Sequence, residues 1–571
     1  MKTYKGIAAS SGVAIGPAFV YHPRRMVVDR ATIGAEEASA EIARWDAARR
    51  KAMDQVAEIQ ARAGDIMGQA NAAIFEAHAM MLEDPALLEM VETKIRQERI
   101  SAPAAVEEAA AFYADAISAL NDACQRDRAA DVRDVAQRVI RLLLGVEEPP
   151  WADLTRPAVV VARDLTPSDT ASMHPTLVLG FCTADGGMTS HTAILARASG
   201  LPAVLGIGEA WAEVANGETV IVDGTEGMVI RSPDEPTLAV YRARQQRFRQ
   251  ADQTARAAAA EPAFSRDGRR VEVAANLGDV CSAQGCLEYG AEGVGLLRTE
   301  FLFMDRASAP DEEVQYRAYL AIAAIMEKRP LVIRTLDVGG DKPLPYLEQA
   351  REANPFLGCR GIRISLAHPQ MLRTQVRAIL RAGVDHNIKI MFPMVTTLDE
   401  VRAAKAMVHQ AQADLQVAGV ETPQRLEIGI MVEVPAAAIL SDLWAPEVDF
   451  FSVGTNDLIQ YTLAVDRGNP KAAAIYDPLN PAVLRLIKLV IDAGHRHGKW
   501  VGVCGEMAGD REAIPLLLGM GLDEFSMNPA AIPAAKELIR RLDATAMQAL
   551  AERALMMATA GEVRALVKGT W

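Results

Sequence analysis

The sequence predicts a multidomain α/β protein: a small α/β domain carrying an inserted helical bundle, followed by a C-terminal (β/α)8 TIM-type barrel. Three observations lead there. The chain has 571 residues, half of them hydrophobic, a length that suits roughly three or four domains with their own cores. A strand-like pattern over 4–21 gives way to nearly glycine-free helical periodicity over 34–145, and the strand pattern returns after Pro149-Pro150. From about residue 262 onward, eight short apolar segments alternate with helical stretches.

Taken in order, residues 4–21 alternate small and β-branched side chains, with Gly12 and Gly16-Pro17 as turn signals. Asp84-Pro85 and Ser101-Ala102-Pro103 read as helix starts inside the bundle, each with a capping side chain and a proline in the first turn. The strand candidates that follow are 158–162, 176–180 and 219–224. The expected domains are therefore 1–21 plus 146–230 as the α/β domain, 34–145 as the inserted bundle, 231–261 as a linker helix and 262–571 as the barrel. The barrel strands are expected at 271–276, 293–298, 331–336, 388–393, 427–433, 449–454, 500–505 and 522–527.

Composition excludes several classes. Lys plus Arg is 60 and Asp plus Glu is 74, a net of −14, which argues against nucleic acid or an anionic membrane as the main partner. A site for an anionic substrate must then be assembled locally from arginines. The six cysteines contain no C-x-x-C pair and no zinc-type spacing with histidine, so a reduced, cytoplasmic compartment is expected. The first residues, broken by Ser10, Ser11 and Gly12, read as neither signal peptide nor membrane span.

The chemistry concentrates in two places. Gly186-Gly187-Met188-Thr189-Ser190-His191 precedes a helical stretch through Ile194 and Leu195. The glycines permit a tight turn, Thr189 and Ser190 can cap, and the free N–H groups of a helix start hold an anion. An imidazole there is well placed to accept a phosphoryl group; the alternative is a glycine turn with a surface histidine. The second place is the C-terminal ends of the barrel strands, the face on which such barrels build their sites. Arg298, Arg334, Arg360 and Arg467 are candidates for a small polyanion, since the guanidinium fork engages two oxygens at once. Glu433 and Asp457 directly follow apolar runs, and two carboxylates plus substrate oxygens suit Mg²⁺. The alternatives are a buried ion pair for Glu433 and a helix cap for Asp457. Asn456 stands beside Asp457. Cys504, between Val503 and Gly505-Glu506, reads either as a buried small hydrophobe or as a proton donor.

Together these residues resemble the Enzyme I family of the bacterial phosphoenolpyruvate-dependent sugar phosphotransferase system, over essentially the whole chain. The resemblance is carried by Gly6–Gly12, Phe75–Asp84, Ala129–Asp134, Gly295–Phe303, Asn354–Gly358, Gly454–Leu458 and Gln460–Asn469. The related dikinases and phosphoenolpyruvate synthases share only the histidine motif and the barrel, and they carry a large nucleotide-binding domain for which this chain has neither the length nor a P-loop.

The resemblance implies a role for each residue. His191 would take the phosphoryl group of phosphoenolpyruvate and pass it to a histidine of the phosphocarrier protein HPr. Arg298, Arg334, Asn456, Asp457 and Arg467 would bind substrate, Glu433 and Asp457 would hold Mg²⁺, and Cys504 would protonate the departing enolate. The helical insert would dock HPr, the barrel would form a homodimer, and the histidine domain would swivel through the segments near 230 and 262. Met188 stands where many family members have arginine, and Ser11 where proline is common. The competing readings are a dikinase-like enzyme with a separate nucleotide-binding subunit, a phosphorelay of the nitrogen-related branch serving regulation rather than sugar transport, and an inactive scaffold. The nitrogen-related relatives usually carry an extra N-terminal sensor domain.

Overall fold

The chain divides into two units, Met1–Gln250 and Ala251–Trp571. The computed structural model describes residues 1–570 except 23–25, 27, 31, 68, 119–122, 147–150, 152–153, 174–175, 188–190, 305, 307, 341–343, 345, 348–351, 467–468, 470–471 and 473–474. It leaves out the side chains of 61–74, 118, 123–128, 171, 191, 194 and 198.

In the first unit, strands β1 (Lys2–Lys5), β2 (Ile7–Ser10), β3 (Val13–Tyr21), β4 (Ala158–Ala162), β5 (Val178–Thr183), β6 (Ala203–Leu205), β7 (Thr219–Asp223) and β8 (Met228–Arg231) form one sheet. Its order is β1-β8-β7-β3-β4-β5-β6-β2. β3 to β6 run parallel, and antiparallel pairs complete both edges. The run Ala158–Ala162 has no polar position because both faces of β4 are covered. Ala158, Val160 and Ala162 join one apolar cluster, while Val159 and Val161 join the other. The strand expected over 176–180 instead spans Val178–Thr183. Gly180 lies inside it, where a Cβ would come within 2.6 Å of Ala14 Cβ and 2.7 Å of the Pro202 carbonyl, so it is a packing glycine rather than a terminator.

Between β3 and β4 lie helices α1 (Ala38–Met67), α2 (Gln69–Glu83), α3 (Pro85–Thr93), α4 (Ala102–Ser118) and α5 (Ala123–Leu143). Asp84 caps α3 by accepting from the Ala86 and Leu87 N–H groups at 2.8 and 3.2 Å, with Pro85 in the first turn. Such a cap stabilises a helix by about 1 kcal/mol. Trp45, Val56, Phe75, Val91, Val106, Val135 and Ile140 are among the side chains of the bundle's own core. α6 (Pro167–Ala171) and α7 (His191–Ser199) make the crossovers from β4 to β5 and from β5 to β6, and α8 (Glu235–Ala257) follows β8.

In the second unit a two-residue strand, β9 (Ala263–Phe264), flanks eight strands: β10 (Arg270–Leu277), β11 (Val294–Leu297), β12 (Leu331–Arg334), β13 (Ile388–Phe392), β14 (Glu427–Val432), β15 (Phe450–Val453), β16 (Trp500–Val503) and β17 (Glu524–Met527). Consecutive strands pair in parallel, and β10 pairs with both β17 and β11, which closes the barrel. Its interior is filled by Leu296, Val332, Met391, Met431, Phe450 and Cys504, so it is a packed core and not a pore. Phe450 stacks on Trp500 at 4.4 Å between centroids. At the opposite end from the strand C-termini sits a polar group around the buried Glu524. Glu272 and Glu524 are register partners, and Lys389 pairs with Glu427 at 3.0 Å. Among the described residues no helix is long and apolar enough to cross a membrane.

Candidate active site

The histidine motif falls at the C-terminal end of a parallel strand. β5 ends at Thr183, a loop follows, and His191 is the first residue of α7. The loop is tied to the sheet: the Ala184 and Asp185 N–H groups donate to the Ala162 and Arg163 carbonyls at 3.0 and 2.9 Å. Gly186 has a φ of 110°, which a side chain would resist. α7 itself is anchored by buried Ala193, Leu195 and Ala196 and by the Thr192 hydroxyl donating to the Leu165 carbonyl at 3.2 Å. The helix start at His191 therefore faces the end of the sheet, where open α/β folds hold ligands. Met188, Thr189, Ser190 and the His191 side chain lie outside the described residues.

In the barrel, short strands deliver polar side chains to one rim. Arg334 ends β12, Glu433 follows β14, Asn456 and Asp457 open the helix Thr455–Leu463 after β15, and Cys504 follows β16. Five side chains alternate in charge along a continuous chain of contacts. The Arg334 Nη2 donates to Glu300 Oε1 at 2.9 Å, and its Nη1 lies 3.0 Å from Asp337 Oδ2. Arg360 donates from Nε and Nη2 to the two oxygens of Asp337, both at 3.0 Å, and from Nη1 and Nη2 to the two oxygens of Asp457 at 3.0 and 3.2 Å. All five are buried. Pairing of alternating charges is what makes their burial tolerable. Burial works against the charge on Arg334 and Arg360, yet the surrounding carboxylates outweigh it and raise the proton affinity of both.

Glu433 is 1% exposed and accepts the Met394 N–H at 2.5 Å. Met394 has a φ of 55°, a left-handed conformation that a methionine rarely adopts. Desolvation, followed by the nearby charges of Asp457 and Asp337, pushes the Glu433 carboxyl up to about 8. Two adjacent buried carboxylates of this kind form a donor set that favours a cation. Among the described residues no group of three or more His, Cys, Asp or Glu side chains is suited to a metal. A Mg²⁺ ion here would draw its remaining oxygens from substrate and water, as that ion commonly does. Among the described residues Glu433 forms no ion pair, and the helix N-cap after β15 is Gly454, so Asp457 is placed as a side-chain partner of Arg360.

Several polar atoms on this rim are buried without a partner among the described residues: Arg334 Nε, Thr335 Oγ1 and Thr455 Oγ1. Unpaired buried polar atoms are costly, and these are the ones an oxygen-rich ligand at this rim would satisfy. Arg298 is exposed at the end of β11, its N–H bonded to the Leu277 carbonyl at 2.9 Å. Asn456 Oδ1 accepts the Glu506 N–H at 3.2 Å. Cys504 is 2% exposed, and burial pushes its thiol up to about 12. Arg467 lies outside the described residues. The rim thus gathers Arg334, Arg360, Glu433, Asn456, Asp457 and Cys504. Glu300, Asp337 and Met394 join them without having been singled out in the sequence. Asp337 carries the same signal that marks Glu433, a carboxylate just past an apolar strand.

The class defined by the fold and rim is that of the phosphoenolpyruvate-utilising enzymes. Family profiles described as PEP-utilising enzyme, PEP-binding domain, match residues 252–544; the N-terminal and mobile-domain profiles of the same enzymes match 5–128 and 154–227. Phosphoenolpyruvate-protein phosphotransferase of Geobacillus stearothermophilus is 47% identical over 570 residues, covering 100% of this chain and 98% of the relative. The protein of that name from Bacillus subtilis is 45% identical over 571 residues, covering 100% of both. The chain belongs to the phosphoenolpyruvate-protein phosphotransferases, the Enzyme I family of enzymes.

Proposed function

We propose that the chain moves the phosphoryl group of phosphoenolpyruvate to His191 and from there to a histidine of the phosphocarrier HPr, releasing pyruvate, as the first step of sugar uptake in the cytoplasm. The observation that carries this reading is the rim itself. Two buried arginines, two adjacent carboxylates and a protonated thiol converge at one end of the barrel, in a chain that also presents a histidine at a helix start.

Arg298, Arg334 and Arg467, with Asn456, bind the phosphate and carboxylate, and Arg334 Nε, without a partner among the described residues, is the donor most in need of such an oxygen. Phosphoryl transfer depends on positioning and charge neutralisation more than on covalent work by the protein. Glu433 and Asp457 would hold Mg²⁺, which when bound would neutralise charge on the transferring group. A ring nitrogen of His191 forms a bond to phosphorus as the ester P–O bond breaks. The electron pair of that bond becomes the enolate of pyruvate, and the Cys504 S–H protonates its terminal carbon. A thiol pushed up to about 12 is fully protonated at neutral pH and is ready to donate. Solvent then restores the thiol proton. His191 must visit the barrel rim in the first half-reaction and the carrier in the second, with the helical insert 34–145 as docking platform, 231–261 as arm and the barrel as dimer contact.

Incubation with phosphoenolpyruvate and Mg²⁺, followed by intact mass, tests the first half-reaction. An acid-labile phosphate on the parent chain and none on His191→Ala is expected, and its loss on addition of HPr tests the second. No phosphate on the parent at saturating substrate and metal would refute the reading.

A further inference from the structure

Arg360 was one of four candidate arginines in the sequence, and the roles above leave it without work of its own. Its surroundings are unusually complete. A guanidinium has five N–H donors, and all five are taken by protein. Nε goes to Asp337 Oδ1 at 3.0 Å. Nη2 goes to Asp337 Oδ2 at 3.0 Å and to Asp457 Oδ2 at 3.2 Å. Nη1 goes to Asp457 Oδ1 at 3.0 Å and to the Tyr461 hydroxyl at 3.4 Å. Both oxygens of Asp457 are therefore occupied by the same guanidinium. Each oxygen can still accept once more, but a cation at Asp457 would compete with the positive guanidinium for the same carboxylate, and Arg360 has no N–H for a phosphate oxygen while it holds Asp457.

We infer that Arg360 is an exchange partner: it covers Asp457 until a divalent cation takes that carboxylate, and it then offers the freed Nη1 edge to the phosphate of the substrate. This rests on the proposed reading of Asp457 as a cation ligand. The movement required is small. Asp337, 1% exposed, keeps its grip on the Nε side and is also fixed by Arg334, so the guanidinium stays charged and oriented while one edge lets go. The consequence is positive coupling: cation binding removes the competitor for the phosphate, and by linkage phosphate binding favours the cation to the same degree.

The test uses the full chain carrying His191→Ala, so that substrate is not consumed, with Mn²⁺ as paramagnetic probe and free Mn²⁺ read by electron paramagnetic resonance. In this background Arg360→Met is expected to bind Mn²⁺ alone about tenfold tighter, the factor expected for a charge-assisted pair the cation no longer has to break. Phosphoenolpyruvate should then enhance Mn²⁺ binding less than it does in the parent, by a similar factor. Adding Asp457→Asn should erase the gain. A merely structural role for Arg360 predicts the opposite sign, weaker Mn²⁺ binding. Should Arg360→Met fail to fold, Arg360→Lys, with three donors and no fork, carries the same comparison at smaller amplitude. Unchanged or weaker Mn²⁺ binding in the Arg360 variants overturns the inference, as does a gain that survives Asp457→Asn. If Asp457→Asn alone leaves Mn²⁺ binding with phosphoenolpyruvate unchanged, Asp457 is no cation ligand, and both the metal assignment and the exchange fall.

Discussion

Replacing Asp337 by alanine is the sharpest perturbation of this rim. Its carboxylate is 1% exposed and is shared by two guanidiniums, with Arg334 Nη1, Arg360 Nε and Arg360 Nη2 all at 3.0 Å. Removing it leaves two buried cations with one carboxylate partner each, Glu300 and Asp457. Breaking a buried ion pair from one side costs about 3–5 kcal/mol, because the uncompensated charge stays out of water. The remaining partners place Asp337→Ala at the lower end, about 3 kcal/mol. Asp337→Asn, which keeps the shape and one acceptor oxygen, should lose less. The assay is urea denaturation together with hydrogen exchange of peptides spanning β12 and β13, which reads barrel opening irrespective of the first unit. A loss below about 1 kcal/mol is what a solvent-exposed pair would give, and that result would refute the argument that this cluster is sealed from water.

Two further outcomes are expected. Glu524 is fully buried beside Glu272, with Lys389 and Asp523 also acting on it, and desolvation pushes it from 4.5 up to about 8. The folded chain then keeps a proton that the unfolded chain has released, so this contribution to stability is complete below about 4.5 and is lost as pH rises towards 8. The stability advantage of Glu524→Gln over the parent should therefore grow between pH 5 and pH 8 in paired denaturation curves; a pH-independent difference would contradict the assignment. Among the described cysteines, Cys281 and Cys359 are exposed whereas Cys182, Cys286 and Cys504 are buried, with each buried thiol pushed up to about 12. Thiolate is the reactive form, so peptide mapping after brief iodoacetamide treatment of the folded chain at neutral pH should find label at 281 and 359 and almost none at 504. Early labelling of Cys504 would exclude the sealed, protonated thiol.

Much of the architecture was legible because it follows from local rules. The eight barrel strands were readable as short apolar runs, and each observed strand overlaps its expected segment, since strands covered on both faces are mostly apolar and their few polar positions fall largely at the strand ends. Asp84-Pro85 was readable as a helix start because a cap and a first-turn proline act within a few residues. Gly180 misled, since a packing glycine and a terminating glycine are the same letter. The rim was legible residue by residue, through polar side chains just past strand ends, but its connections were not. Glu300 and Asp337 are 37 residues apart, yet Glu300 accepts the Asp337 N–H at 3.2 Å and both bind Arg334.

By itself, then, the sequence determined the order of elements, the two candidate reactive regions and the family, because periodicity, caps and motifs are properties of neighbours along a chain. Tertiary structure alone decided which charges meet. It set Arg360 against both oxygens of Asp457, wedged Met394 into a left-handed turn beneath Glu433 and raised the proton affinities of Glu433, Glu524 and Cys504. Desolvation and Coulomb energy depend on distance through space and on the exclusion of water, and neither exists until the barrel closes.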